Sequence, residues 1–257
     1  MPRISLVIPA FNEESFLPAL LDSVEVARSR YRRGPAAVEV IVADNSSTDR
    51  TAEIARARGC VVAHVANPVI AASRNGGARL ATGEIVAFVD ADCTIHPETF
   101  NVIDETMSSQ KVVAGATGAR FDRKSLGIAA TTLVGEIVFF IANLDIGVVF
   151  CRRDDWEAVG GYNEELKCAE DVEFLVALKK LGRAQGRKFV RARGARATTS
   201  ARKFDSRGDW HYFRMGPPTA LFYMIFNRAA LQRQIGESLI SEYWYDVRKS
   251  LRSPGGE

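Results

Sequence analysis

Asp90-Ala91-Asp92 directly follows the apolar run Ile85-Val86-Ala87-Phe88-Val89. Two carboxylates one residue apart at the end of a buried strand cost desolvation energy unless a cation or hydrogen-bond donors compensate. In an open α/β sheet that end of the strand is where ligands bind. Oxygen-only ligands suit Mg2+ or Mn2+, and Mg2+ is commonly held by one or two carboxylates together with substrate phosphates. The pair reads as a metal–diphosphate site, against the plainer reading of a solvated turn.

Two more polar clusters follow apolar runs in the same way. Pro9-Ala10-Phe11-Asn12-Glu13 comes after Ile4–Ile8, and Asp44-Asn45-Ser46-Ser47-Thr48-Asp49 after Val38–Ala43. In a parallel sheet all three clusters share one edge and can converge on one ligand. Taken singly, each has a local use: Pro9 stops a strand, Asn45 and Asp49 make turns or caps, and Asp90 caps a helix. Arg74-Asn75-Gly76-Gly77 adds a guanidinium suited to a diphosphate, beside small residues that allow close approach.

The elements needed to position these clusters are legible. Strand-like runs at Ile4–Ile8, Val38–Ala43, Val61–Val65 and Ile85–Val89 alternate with helix-like stretches at Glu14–Arg30, Thr51–Arg58 and Ala71–Leu80. Ser47-Thr48-Asp49 and Ser73 sit where helix caps belong. The alternation predicts a mainly parallel sheet with right-handed crossovers. Further on we expect a helix from Pro97 to Ser108, a strand over Lys111–Ala119 and a buried helix over Leu126–Asn143. A strand over Gly147–Phe150, a short helix over Trp156–Gly161 and a packed helix over Ala169–Leu181 complete the expectation.

The chain has 257 residues and a net charge of +3, enough for one sizeable core and no argument for nucleic acid. Basic residues crowd between Arg183 and Arg207 with Asp205 the only acid among them, a stretch suited either to phosphates or an anionic membrane, or to a solvated face. Cys60, Cys93, Cys151 and Cys168 form no Cys-x-x-Cys pair, so a reducing cytoplasm is the simplest home. The N-terminal residues enter a strand without a charged leader, so no signal peptide is expected. Glu136, Asn143 and Asp145 argue against a membrane span at Leu126–Cys151. Peripheral contact with the inner face of a membrane, and a homodimer, are left open.

The strings Ser5–Glu13, Val42–Asp49, Ser73–Gly77 and Val89–Asp92, followed by Gly160-Gly161-Tyr162-Asn163-Glu164-Glu165 and Glu170-Asp171-Val172-Glu173, resemble the family 2 glycosyltransferases of the GT-A fold. The resemblance implies an α/β fold: a single Rossmann-like domain with a mainly parallel sheet flanked by helices. It would cover residues 1–203, the nucleotide-binding half over about 1–110 and the acceptor half over 111–203; beyond Lys203 the resemblance gives little, and the weaker periodicity there is read as a helical C-terminal extension over 204–257. The resemblance further implies a nucleoside-diphosphate sugar donor, a carbohydrate or lipid-linked acceptor, inversion at the anomeric carbon, and Mg2+ or Mn2+. Pro9, Phe11 and Glu13 would line the nucleoside pocket with Ser46 and Ala91 nearby, Asp44 would hydrogen-bond the base, and Arg74 would approach the diphosphate. Asp90 would contact ribose or sugar, Asp92 would bind the metal with His211 as a second contact, and Asp171, paired with Glu170, would be the catalytic base. UDP is that family's commonest nucleotide; Asp44 alone leaves GDP and other bases open. The processive members' Gln-x-x-Arg-Trp segment is missing, which favours transfer of one sugar.

Other classes fit less well. A nucleotidyltransferase should open with a Gly-rich phosphate loop, and a Rossmann dehydrogenase with Gly-x-Gly-x-x-Gly; Pro9–Glu13 contains no glycine. A sugar-nucleotide-binding protein of the same fold without turnover is argued against by Asp92 and Asp171 together.

Overall fold

The computed structural model describes residues 1–166 and 169–210. In chain order the elements are β1 (Ile4–Ala10), α1 (Leu17–Ser29), β2 (Val38–Asp44), α2 (Thr51–Ala57), β3 (Val61–His64), α3 (Ile70–Arg79), β4 (Ile85–Phe88) and β5 (Cys93–Thr94). Then follow α4 (Thr99–Met107), β6 (Val112–Ala116), β7 (Ala119–Phe121), α5 (Leu126–Ala142), β8 (Val149–Arg152) and α6 (Arg153–Ala158). The last are α7 (Glu170–Ala184), β9 (Lys188–Arg191), β10 (Ala197–Thr199) and α8 (Arg202–Arg207).

Seven strands form the central sheet in the order β3-β2-β1-β4-β8-β6-β9. All neighbours run parallel except β8, which is antiparallel to both β4 and β6. This is the α/β architecture expected, with one reversed strand that the spacing did not reveal. Every residue of β1 is buried, as a strand covered on both faces requires. Its Leu6 and Ile8 face a core built with Leu17, Leu20 and Val24 of α1, while Val7 faces a second core with Phe174, Leu175 and Leu178 of α7.

Four expectations are corrected. Helix α1 begins at Leu17 rather than Glu14, because Glu13 O accepts from the backbone N–H groups of Phe16 and Leu17 while the Glu14 N–H goes to Asp49. Ser73 caps nothing: it is buried inside α3, whose first residue is Ile70. The strand expected over Lys111–Ala119 is two strands in different sheets. Gly118, at φ 78°, turns the chain between them, and β7 joins β10 and β5 in a three-stranded second sheet. The short helix expected from Trp156 starts at Arg153 and ends before Gly160.

The charge-dense stretch from Arg183 onward is largely consumed by ion pairs. Arg187 holds Asp155, Arg191 and Arg193 share Asp145 and Glu136, and Arg202 holds Glu13. The helix expected to be buried over Leu126–Asn143 is a further correction: α5 buries only one side and exposes Leu126, Leu133, Ile137, Phe140 and Ile141. No helix among the described residues is long and apolar enough to cross a membrane.

Helix α3 reaches the sheet through Gly77. A Cβ there would lie 2.5 Å from Val7 Cγ1 and 3.3 Å from the Ala43 Cβ. Alanine would gain about 1 kcal/mol of helix propensity, but overpacking a tight contact costs about 1–3 kcal/mol. Gly77→Ala is expected to lower the urea midpoint; a raised midpoint would contradict this packing.

Candidate active site

The loops after β1 and β2 are fastened to one another. Asn12 adopts the left-handed φ of 53°, its Oδ1 accepts from the Thr48 N–H at 2.8 Å, and its own N–H donates to Ser47 Oγ at 3.0 Å. The Glu13 N–H donates to Thr51 Oγ1 at 2.8 Å, and the Glu14 N–H to Asp49 Oδ2 at 3.1 Å. Asn and Asp do this because short polar side chains tolerate left-handed backbone and mimic turn hydrogen bonds. Pro9 and Asp44 stand at the carboxyl ends of the paired strands, with Ala10 opposite Asp44 in the register. Asp44 is buried, accepts from the Ser47 N–H at 3.3 Å and lies 3.6 Å from His64 Nδ1. Phe11 is half-buried, and Ser46 is exposed at φ 59°, its hydroxyl donating to Val65 O.

Two charged networks adjoin this edge. In the first, the Arg202 fork donates to both oxygens of Glu13, at 2.8 and 2.9 Å, and Nη2 also reaches Asp92 Oδ2 at 3.0 Å. The guanidinium stacks 4.7 Å above the Phe16 ring. Glu13 is only 2% exposed, so its charge needs compensation, which the Arg202 pair supplies in part. Burial pushes the Asp92 carboxyl up from its ordinary value, Arg202 pulls it down, and Asp90 and Glu13 add to the rise.

In the second network Arg74 donates through Nη1 to Glu170 Oε1 at 2.6 Å and through Nη2 to Asp90 Oδ1 at 2.9 Å, with the Tyr162 ring 5.1 Å beneath it. Burial works against the Arg74 charge, but Asp90 and Glu170 more than offset it and hold its pKa well above the ordinary value. Burial likewise raises Glu170, with Arg74 opposing and the neighbouring Asp171 reinforcing. Glu170 thus points inward at the first turn of α7. Asp171 is half-buried, and its Oδ1 accepts from the Val172 N–H at 2.8 Å.

Arg74 joins the two ends of the site. It touches Asp90 on the loop after β4 and Glu170 on α7, and it feels the charge of Asp171 as well. The carboxylate pairs Asp90/Asp92 and Glu170/Asp171 therefore occupy one continuous polar edge. Arg74 is buried between carboxylates, where the resemblance would turn it toward a diphosphate.

Among the described residues, five carboxylates (Glu13, Asp90, Asp92, Glu170 and Asp171) meet Arg74, Arg202 and Lys203 here, an excess of two formal negative charges within that set. A dianionic diphosphate would be repelled from that edge unless a cation came with it. The described residues hold no ready cluster of three metal-capable side chains. Mg2+, however, keeps several waters and needs only one or two carboxylates beside phosphate oxygens, which Asp92 and Asp90 can supply. The donor set fits a hard divalent cation. His211 lies outside the described residues.

Sequence reasoning missed two residues of this edge. Arg202 is one arginine among many in a basic run, and only tertiary placement shows that it spans Glu13 and Asp92. Asn75 is 3% exposed; it accepts from the Tyr162 N–H and donates to Tyr162 O and Glu164 Oε1, fixing the loop that leads to α7. Its place beside Arg74 in a Gly-rich helix was the available signal.

Comparison with known proteins identifies the family and the fold. Validoxylamine A glucosyltransferase of Streptomyces hygroscopicus subsp. limoneus is 34% identical over 104 residues, covering 38% of this chain and 22% of that protein. The chain spans less than two thirds of the length of the curated relatives it matches. S. aureus TarS 1-349 in complex with UDP superposes with a TM-score of 0.62 at 17% identity, covering 98% of this chain and 83% of that one. Mannosyltransferase PcManGT from Pyrobaculum calidifontis, in complex with GDP-Man and Mn2+, superposes with a TM-score of 0.58 at 16% identity, covering 87% and 70%. At such identities these structures show a shared fold. The profile described as "Glycosyl transferase family 2" matches residues 5–153, more than half the sequence and all three carboxyl-edge loops, and the chain belongs to that family.

Proposed function

We propose that the protein transfers one sugar, with inversion, from a UDP-linked donor to an acceptor hydroxyl on a carbohydrate or a lipid-linked molecule. The observation that carries this reading is the single polar edge on which Arg74 links Asp90 to Glu170, next to the loops that bear Asp44 and Asp92. Relatives named as glycosyltransferases, and fold neighbours holding UDP or GDP-Man with Mn2+, support the same donor class.

Each residue then has a task. Pro9, Phe11, Asp44 and Ser46 receive the nucleoside, Asp44 accepting from the base. Asp90 takes a ribose or sugar hydroxyl and is aimed by Arg74. Asp92, with Asp90 beside it, would hold Mg2+ or Mn2+, which when bound stabilises charge on the leaving diphosphate. An attacking hydroxyl becomes a competent nucleophile only as a base removes its proton. Glu170 is buried and committed to Arg74, so the outer carboxylate of the pair, Asp171, is the base. A single displacement needs no second base and no covalent intermediate, consistent with inversion.

The donor class is tested by thermal shift with a panel of nucleoside diphosphates and their sugars, each with and without Mn2+. A ligand at about one hundred times its Kd stabilises the native state by about 2.7 kcal/mol. UDP and a UDP-sugar are expected to raise Tm in Mn2+ and far less without it. A panel in which no nucleotide moves Tm under either condition contradicts the reading.

A further inference from the structure

Arg202 occupies an unusual place for a residue on the rim of a metal–diphosphate site. It leads into α8 immediately after β10, and its guanidinium is pinned by Glu13 through two hydrogen bonds, by Asp92 through Oδ2, and by the Phe16 ring from below. Ala201 and Phe204, on either side of it in sequence, are buried with Ile128 of α5 and with Phe121 of β7 against them, so the backbone under Arg202 is anchored. Its side chain keeps 22% of its surface open. The residue combines an anchored backbone with a partly exposed guanidinium.

We propose that Arg202 is an internal cation that guards Asp92. In the donor-free protein it neutralises the carboxylate that a divalent cation would need, and it gives up Asp92 only when a diphosphate arrives with the cation. This inference rests on the nucleotide-sugar reading. The two contacts of the fork differ in what they can release. The Glu13 contact is buried and made through two hydrogen bonds at 2.8 and 2.9 Å, and breaking a buried charged pair is costly, so this bidentate pair persists. Asp92 is held through one oxygen by one nitrogen, Nη2, and a small rotation about the Glu13 anchor frees it. The released N–H then points along the edge on which the diphosphate lies, and a guanidinium donor is well suited to a phosphate oxygen. Arg202 thereby makes cation binding and diphosphate binding depend on each other. A cation alone must displace a charged partner without recompense. A cation that comes with a diphosphate gives Arg202 a new anion in place of the old one.

The consequence is a coupling between two ligands, which is reciprocal by thermodynamic necessity. It is measured as the ratio of the UDP Kd without Mn2+ to that with Mn2+, by calorimetry, together with the Mn2+ Kd in the absence of nucleotide, by the EPR signal of free Mn2+. Arg202→Gln is expected to bind Mn2+ alone at least threefold more tightly than wild type and to reduce the coupling ratio about tenfold. Phe16→Leu keeps every charge and loosens only the stacked guanidinium, so it should shift both readings in the same direction by a smaller factor. Arg202→Gln removes the cation paired with Glu13; if that variant fails to fold, Glu13→Gln/Arg202→Gln removes both charges and, compared with Glu13→Gln alone, carries the same expectation. Unchanged or weaker affinity for Mn2+ alone in the folded Arg202 variant overturns the proposal. The Mn2+ titration uses no nucleotide, so a wild-type protein that binds no UDP defeats the donor reading by a separate observation.

Discussion

Asp171→Asn is expected to lower the rate of sugar transfer by about 10²–10⁴-fold, the usual contribution of a positioned general base, which corresponds to about 3–5.5 kcal/mol of barrier. The amide keeps the size of the side chain and its acceptor oxygen for the Val172 N–H, so α7 should retain its first turn. UDP affinity in Mn2+ should stay within about twofold of wild type, because the ion pairs of Arg74 with Asp90 and Glu170 do not use Asp171 and remain in place. Rate and affinity therefore separate, and initial-rate kinetics beside calorimetry read the separation. Turnover near the wild-type rate would remove Asp171 as the base. A parallel loss of UDP binding would make it a structural residue of the edge.

The second large effect is on stability. Arg74→Met removes the cation from Asp90 and from Glu170, of which the Glu170 side chain is only 9% exposed. Stranding a buried charge in this way costs about 3–5 kcal/mol. For a chain of this size the Tm should fall by roughly 6–20 °C. The loss has a definite pH dependence. Burial already raises the Glu170 carboxyl above its unfolded value, and removing Arg74 takes away the main opposing influence. A carboxyl with a raised folded value binds protons more readily when folded, so the variant's stability recovers as pH falls through that value and deteriorates above it. Arg74→Met/Glu170→Met removes both members and should regain most of the loss at pH 8, as buried ion pairs replaced by apolar groups often do. Thermal melts at acid and alkaline pH check both statements. A pH-independent deficit, or no rescue by the double change, would contradict the account of this pair.

What could be read before the structure, and what could not, divides along physical lines. The four leading strands and the three helices between them were legible because both signals are local. Runs such as Ile4–Ile8 are continuously apolar, and the intervening stretches carry helical periodicity. The convergence of the Pro9–Glu13, Asp44–Asp49 and Asp90–Asp92 clusters followed from parallel topology alone, since each cluster ends a strand. The reversed direction of β8 was not legible: Val149–Arg152 is equally apolar whichever way it pairs, and only the whole sheet selects its direction. The break at Gly118 was hidden because residues on both sides of it favour strand, and a single glycine does not announce a change of sheet. The ion pairs were the least legible. Arg202 and Glu13 are 189 residues apart, and Arg74 and Glu170 are 96 apart. Nothing in composition selects those partners from the other basic and acidic residues. The resemblance supplied roles for single residues, and the structure adds the pairing that joins them, in which Arg74 serves two carboxylates at once.

The central claim is that a divalent cation sits on Asp92 at the same edge that presents Asp171. Anomalous diffraction at the manganese edge, from crystals soaked with Mn2+ and UDP, tests it most directly. The account predicts one strong peak against the Asp92 carboxylate, beside the diphosphate and facing the first turn of α7. Nucleotide density with the peak elsewhere, or with none, would contradict it.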